Sequence, residues 1–140
     1  MILVDTNVLL DVVTDDPVWA DWSQQQLNAA SLRDRLAINP VIYAELSGGF
    51  AAIESLDAML AAAEINVAEV PRPALFLAGQ VFKSYRQRGG LRTSVLPDFF
   101  IGAHAAVLGV PLITRDASRC RTYFPTVELI VPERAPSAPG

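Results

Sequence analysis

The stretch Leu96-Pro97-Asp98-Phe99-Phe100-Ile101-Gly102-Ala103-His104-Ala105-Ala106-Val107-Leu108-Gly109-Val110-Pro111-Leu112-Ile113-Thr114-Arg115-Asp116 decides the fold of this chain. Pro97 suits the first turn of a helix, where its missing N–H has no intrahelical partner to lose. Asp98 follows in the same turn, where the helix dipole favours a negative charge. The apolar segment runs to Gly109, a helix stop. Leu112-Ile113 is short, apolar and bounded by polar residues, as a buried parallel strand is. Asp116 lies just past that strand's carboxyl end, where open α/β sheets build their sites. One helix–turn–strand unit thus carries an acid at each end.

Working outward, the same grammar repeats. Ile2-Leu3-Val4 reads as a buried strand ending at Asp5, and Thr6-Asn7 opens an apolar helix through Val13 that Asp15-Asp16-Pro17 breaks. Trp19 to Arg33 is an amphipathic helix, and Leu36-Ala37-Ile38 a second strand. Asn39-Pro40, an N-cap followed by proline, starts a helix that carries Glu45 and weakens at Gly48-Gly49. A helix over Ile53 to Ala63, a strand over Ile65 to Val70 and a long helix over Ala74 to Gln87 follow. Gly89-Gly90 begins a basic loop, and Glu128 to Val131 is a last, edge strand. Strands alternating with helices predict an α/β three-layer sandwich, with a mostly parallel sheet of four to five strands covered on both faces. Residues 1–132 are read as one domain, and 133–140, rich in proline, as a disordered tail.

Composition narrows the setting. The 140 residues suffice for one domain, and the 51% that are hydrophobic suffice for a core. A single cysteine, Cys120, permits no intramolecular disulfide and points to a reducing compartment. No apolar run reaches the roughly 20 residues of a membrane span, and the start has no basic signal-peptide region. A soluble cytoplasmic protein is expected. The net charge of −4 argues against a broad nucleic-acid-coating surface. It does not exclude a nucleic-acid enzyme, because a metal site needs clustered acids of its own, and Lys83, Arg86, Arg88 and Arg92 fall within ten residues with no acid between them.

Four acids occupy positions from which they can converge: Asp5, Glu45, Asp98 and Asp116. Singly, each has an ordinary role. Asp5 can cap the helix at Thr6, Asp116 a turn through Ser118, Asp98 can offset a dipole, and Glu45 can be a solvated helix residue. Together they form an all-oxygen set suited to Mg²⁺ or Mn²⁺. His104 follows Asp98 by six residues, about 120° around the helix, and reads as a packed histidine, not a ligand. Cys120 reads as packing, since nothing near it assembles a catalytic dyad.

These residues carry a resemblance. Ile2-Leu3-Val4-Asp5-Thr6-Asn7, Glu45, Leu96-Pro97-Asp98 with Ile101 to Ala105, and Leu112-Ile113-Thr114-Arg115-Asp116 resemble the PIN-domain ribonucleases, and most closely the VapC toxins of type II toxin–antitoxin pairs. Arg121-Thr122-Tyr123-Phe124-Pro125 is similar to the tail of one branch of them. The resemblance implies a Mg²⁺- or Mn²⁺-dependent endoribonuclease that cleaves RNA by metal-activated water, forms a homodimer and is held by a VapB-type antitoxin. Asp5 and Asp98 are the expected direct ligands, with Glu45 and Asp116 acting through water. Thr6, Asn7 and Thr114 orient the carboxylates. Arg86, Arg88 and Arg92 are expected on the RNA backbone, and Arg115 either on phosphate or paired with a surface acid. Leu10, Val13, Trp19, Trp22, Phe50 and Met59 are candidates for an antitoxin groove. Two other classes stay open. One is an aspartate-nucleophile phosphatase of the haloacid dehalogenase type, although Asn7 stands where its second acid is expected. The other is a non-catalytic module with the same fold.

Overall fold

The computed structural model describes residues 1–133, so the expected tail lies, but for Glu133, outside the described residues. Five strands, β1 (Ile2–Val4), β2 (Leu36–Ile38), β3 (Ile65–Val67), β4 (Leu112–Ile113) and β5 (Leu129–Ile130), form one sheet in the order β3-β2-β1-β4-β5. Every pairing is parallel. Among the described residues, seven helices accompany them: α1 (Thr6–Val13), α2 (Ala20–Arg33), α3 (Pro40–Ser47), α4 (Ile53–Ala62), α5 (Arg72–Gln87), α6 (Leu96–Leu108) and α7 (Ser118–Tyr123). All three residues of β1 and of β2 are buried. Successive strand residues point to opposite faces, so both faces of the central sheet are covered, as expected of an α/β sandwich. No helix among the described residues is long and apolar enough to cross a membrane.

The local signals act as the sequence suggests. Asn39 caps α3 by accepting the Ile42 N–H at 2.9 Å, with Pro40 in the first turn. Gly109 closes α6 in the left-handed conformation at φ 65°, its N–H returned to Ala105 and Ala106, a geometry that L side chains adopt only at a cost. The departures concern sheet edges and one helix. β3 stops at Val67, short of the expected Val70, because its neighbour β2 ends at Ile38. The Ala68 N–H takes the last available carbonyl, that of Ile38, at 2.7 Å. β5 is likewise limited to Leu129–Ile130 by the two-residue β4. Helix α7 was not anticipated from the sequence; it seats Cys120 in the core and ends at buried Phe124.

The chain moves outward from β1 to β2 to β3, then returns to place β4 on the other side of β1. The crevice at the carboxyl ends of β1 and β4 is the topological switch point, where open parallel sheets bind their ligands.

Candidate active site

Asp5 leaves β1 at this crevice. Its backbone N–H is held by Ile113 of β4 at 2.9 Å, so the two strand ends are laced together. The carboxylate caps α1 through the Thr6 N–H at 2.8 Å, and its other oxygen accepts the Thr114 hydroxyl at 2.7 Å and the Asn7 amide at 3.4 Å. The capping role and the site role therefore coincide in one side chain. Asn7 also accepts the Arg115 backbone N–H at 3.3 Å. It thus acts as a hydrogen-bonded brace, which leaves the phosphatase reading without its second acid.

The other acids arrive from three elements. Glu45, exposed on α3, accepts the Thr6 hydroxyl at 2.7 Å. Asp98, in the first turn of α6, is paired with Arg119 of α7 at 2.8 Å. Asp116 follows β4, and one of its oxygens accepts from the Ser118 N–H and hydroxyl at 3.4 and 3.1 Å. All four acids line one cavity of about 260 Å³, together with Thr6, Asn7 and Arg119. Among the described residues, no three acidic, histidine or cysteine side chains already stand close enough to grip an ion between them. The acids surround a shared space, each tethered to its own hydrogen-bond partner.

Electrostatics fit that arrangement. Burial pushes the Asp5 carboxyl up from 3.8 to about 6, assisted by the charges of Asp98 and Glu45 and opposed by the hydrogen bonds from Thr114 and Thr6. Burial also raises Asp98, against the pull of Arg119. Acids raised in this way are relieved by a cation. The donors are carboxylate oxygens, and the Cys120 thiol, which also lines the cavity, is pushed up to about 11 by burial and by Asp5, so it stays protonated. A hard divalent cation such as Mg²⁺ or Mn²⁺ matches this donor set.

The remaining residues fall elsewhere. His104 is fully buried and outside the cavity, its Nδ1 facing the Asn39 amide at 3.2 Å. Because Asn39 spends its oxygen on α3, its nitrogen is the donor, which leaves His104 neutral with its proton on Nε2. Arg115 turns away from the cavity. Its guanidinium donates to both oxygens of Asp11 at 2.7 and 3.0 Å and lies 5.0 Å from the Trp19 ring centroid. The expected surface acid is in fact a buried one, since the Asp11 side chain is 3% exposed. Arg86, Arg88 and Arg92 are exposed at the end of α5 and in the loop after it. Arg86 packs on Phe82 and Arg88 on Tyr123. Tyr123 in turn packs edge-on against Phe99, the residue after Asp98, at 5.1 Å.

Of the expected groove residues, Val13 and Met59 line a second, apolar cavity of about 380 Å³ with Leu9, Val12 and Leu27. Leu10 instead faces the acids, Phe50 lines a small hollow beside Tyr43, and Trp19 and Trp22 meet edge-on at 5.9 Å. Sequence reading missed Asp11, Ser23 and Arg119. The first two sat in apolar or polar helical patterns with no local sign of their partners.

Comparison with known proteins agrees with the geometry. No curated protein sequence matches the chain. Among solved structures, a chain of VapBC2 from Rickettsia felis bound to a promoter DNA fragment superposes with a TM-score of 0.73 at 20% identity, covering 95% of this chain and 100% of that one. A toxin–antitoxin complex from Klebsiella pneumoniae gives 0.64 at 23% identity, covering 91% and 95%. DNA-bound VapBC from Salmonella typhimurium gives 0.67 at 19% identity, covering 93% and 96%. At such identities the likeness is one of fold. The PIN-domain family profile matches residues 2–125, nearly the whole described chain, and the protein therefore belongs to the PIN domain family.

Proposed function

We propose that this chain is the toxin of a toxin–antitoxin pair, a cytoplasmic VapC-type endoribonuclease dependent on Mg²⁺ or Mn²⁺. The observation that carries the reading is the gathering of Asp5, Glu45, Asp98 and Asp116 around one cavity at the sheet's switch point. Asp5 and Asp98 are the direct ligands, and Glu45 and Asp116 act through water. A divalent ion held there supplies Lewis acidity, making a water more acidic and offsetting charge on the phosphodiester. The chain's own residues do the rest. Thr114 and the Thr6 N–H fix both oxygens of Asp5. Thr6 occupies one oxygen of Glu45, leaving the other to take the proton of the attacking water. Arg86, Arg88 and Arg92 meet the RNA backbone, and the stacking of Arg86 and Arg88 on aromatic rings limits the freedom those two lose on binding.

An inhibitor is expected to lay an amphipathic segment on the apolar cavity between α1, α2 and α4. The naming of the solved neighbours as VapBC and toxin–antitoxin complexes supports that partner. The test is incubation with total RNA and Mg²⁺ or Mn²⁺, followed by mapping of the cut ends. Attack by water leaves a 5′-phosphate and a 3′-hydroxyl, and Asp98→Asn lowers cleavage by at least about a hundredfold. Cyclic-phosphate ends, or a folded Asp98→Asn protein cutting at the wild-type rate, refute the assignment.

A further inference from the structure

Asp98 is not free. A carboxylate expected to give its oxygens to an ion already accepts the Arg119 Nη1–H at 2.8 Å. Among the described residues, Arg119 is the sole cationic one lining the acid cavity. The other basic side chains near the site are committed or displaced: Arg115 to Asp11, Arg86 and Arg88 to rings beyond the rim. Arg119 is placed firmly. Its helix is anchored by buried Cys120 and ends at buried Phe124, whose ring leaves no room for a Cβ on Gly102 of α6. The pair it makes is not firm. The Arg119 and Asp98 side chains are 33% and 44% exposed, and a solvated pair of this kind is weak enough to exchange partners.

We propose that Arg119 is the phosphate-contacting residue of this cavity, paired with Asp98 at rest and transferring to a non-bridging oxygen of the RNA phosphodiester when Asp98 serves as a ligand. The proposal rests on the nuclease reading above. Arg119 holds Asp98 through a single oxygen, Oδ2, and an ion seated on that oxygen takes the place of Arg119. The released guanidinium, permanently charged, then stands beside the space a phosphodiester must enter. Its planar fork of donors matches phosphate geometry. The same exchange keeps the acid cluster partly neutralised at rest and supplies a cation to the substrate in use. The positive charge in the cavity is thereby moved from a carboxylate to a phosphate.

The experiment separates this role from mere support of Asp98. Mn²⁺ binding to wild-type protein and Arg119→Gln is followed by electron paramagnetic resonance without RNA. RNA binding is followed by fluorescence anisotropy in the non-cleaving Asp98→Asn background, with and without Arg119→Gln, on an oligonucleotide spanning the mapped cut site. Mn²⁺ affinity should hold or rise in Arg119→Gln, because a competitor for Asp98 is gone. RNA affinity should fall about ten- to a hundredfold, as for loss of one charged hydrogen bond, and the salt slope should shrink by about one. Cleavage at saturating Mn²⁺ should fall in step, with partial rescue by Arg119→Lys. If Mn²⁺ affinity drops with cleavage while RNA binding holds, Arg119 only positions Asp98 and the proposal is overturned. Unchanged RNA affinity overturns it equally. A wild-type protein that binds Mn²⁺ but cuts no RNA refutes the nuclease reading itself.

Discussion

Removing the carboxylate of Asp11 is the sharpest test of how the site is braced. Asp11 is 3% exposed and accepts three hydrogen bonds, two from Arg115 at 2.7 and 3.0 Å and one from the fully buried Ser23 hydroxyl at 2.8 Å. In Asp11→Ala the Ser23 hydroxyl is left buried without its acceptor, which costs about 1–3 kcal/mol. Breaking a buried ion pair from one side costs about 3–5 kcal/mol. Arg115 is 28% exposed and can turn toward water, so the lower end, about 3 kcal/mol, applies to the whole substitution. For a domain of this size that corresponds to roughly 10 °C in Tm. Asp11→Asn keeps an oxygen for Ser23 and should lose about half as much. Urea unfolding followed by circular dichroism measures both. A double-mutant cycle with Arg115→Ala should return a coupling of about 0.5–3 kcal/mol. An Asp11→Ala protein as stable as wild type, with no coupling to Arg115, would refute the claim that this pair ties α1 and α2 to the end of β4.

Two further outcomes are expected. In metal-free buffer, burial holds the Asp5 carboxyl at about 6 against 3.8 in an unfolded chain, so the folded state binds the proton more tightly. The stabilisation from that proton is complete below about pH 4 and lost as pH rises through 6, up to about 3 kcal/mol. In EDTA, the Tm of Asp5→Asn relative to wild type should therefore climb by roughly 10 °C between pH 4 and 7, and a flat difference across that range counts against the raised carboxyl. Gly102→Ala places a Cβ 2.4 Å from the Phe124 ring, an overpacking worth about 1–3 kcal/mol; a Tm equal to wild type would show that α7 yields freely.

How much was legible follows from how local each signal is. Asp5, Asp98 and Asp116 stand at element boundaries written by neighbouring residues: an apolar strand before Asp5, Pro97 before Asp98, an apolar strand before Thr114. Their convergence follows from parallel topology alone. Glu45 offers no such mark: it lies inside a helix, where a solvated acid is ordinary, and only its grouping with the other three acids singles it out. Asp11 sits in an apolar helix, and its partner Arg115 is 104 residues away, so no window of sequence joins them. Helix α7 spans six residues, too few to display a helical period, and Arg119 went unread with it. The basic residues after α5 were visible as charges, but their seating on Phe82 and Tyr123 is a matter of packing that charge does not encode.

The bond from Thr114 to Asp5 spans 109 positions of sequence. During synthesis at about 5–20 residues per second, Asp5 waits roughly 5–20 s for Thr114 and Asp116 to be made. Until then β1 lacks its β4 neighbour, and the crevice between them does not exist. A growing chain therefore carries Asp5 harmlessly, and the cavity comes into being only when α6, β4 and Asp116 have been made. Any molecule that restrains this protein has that interval in which to be waiting for it.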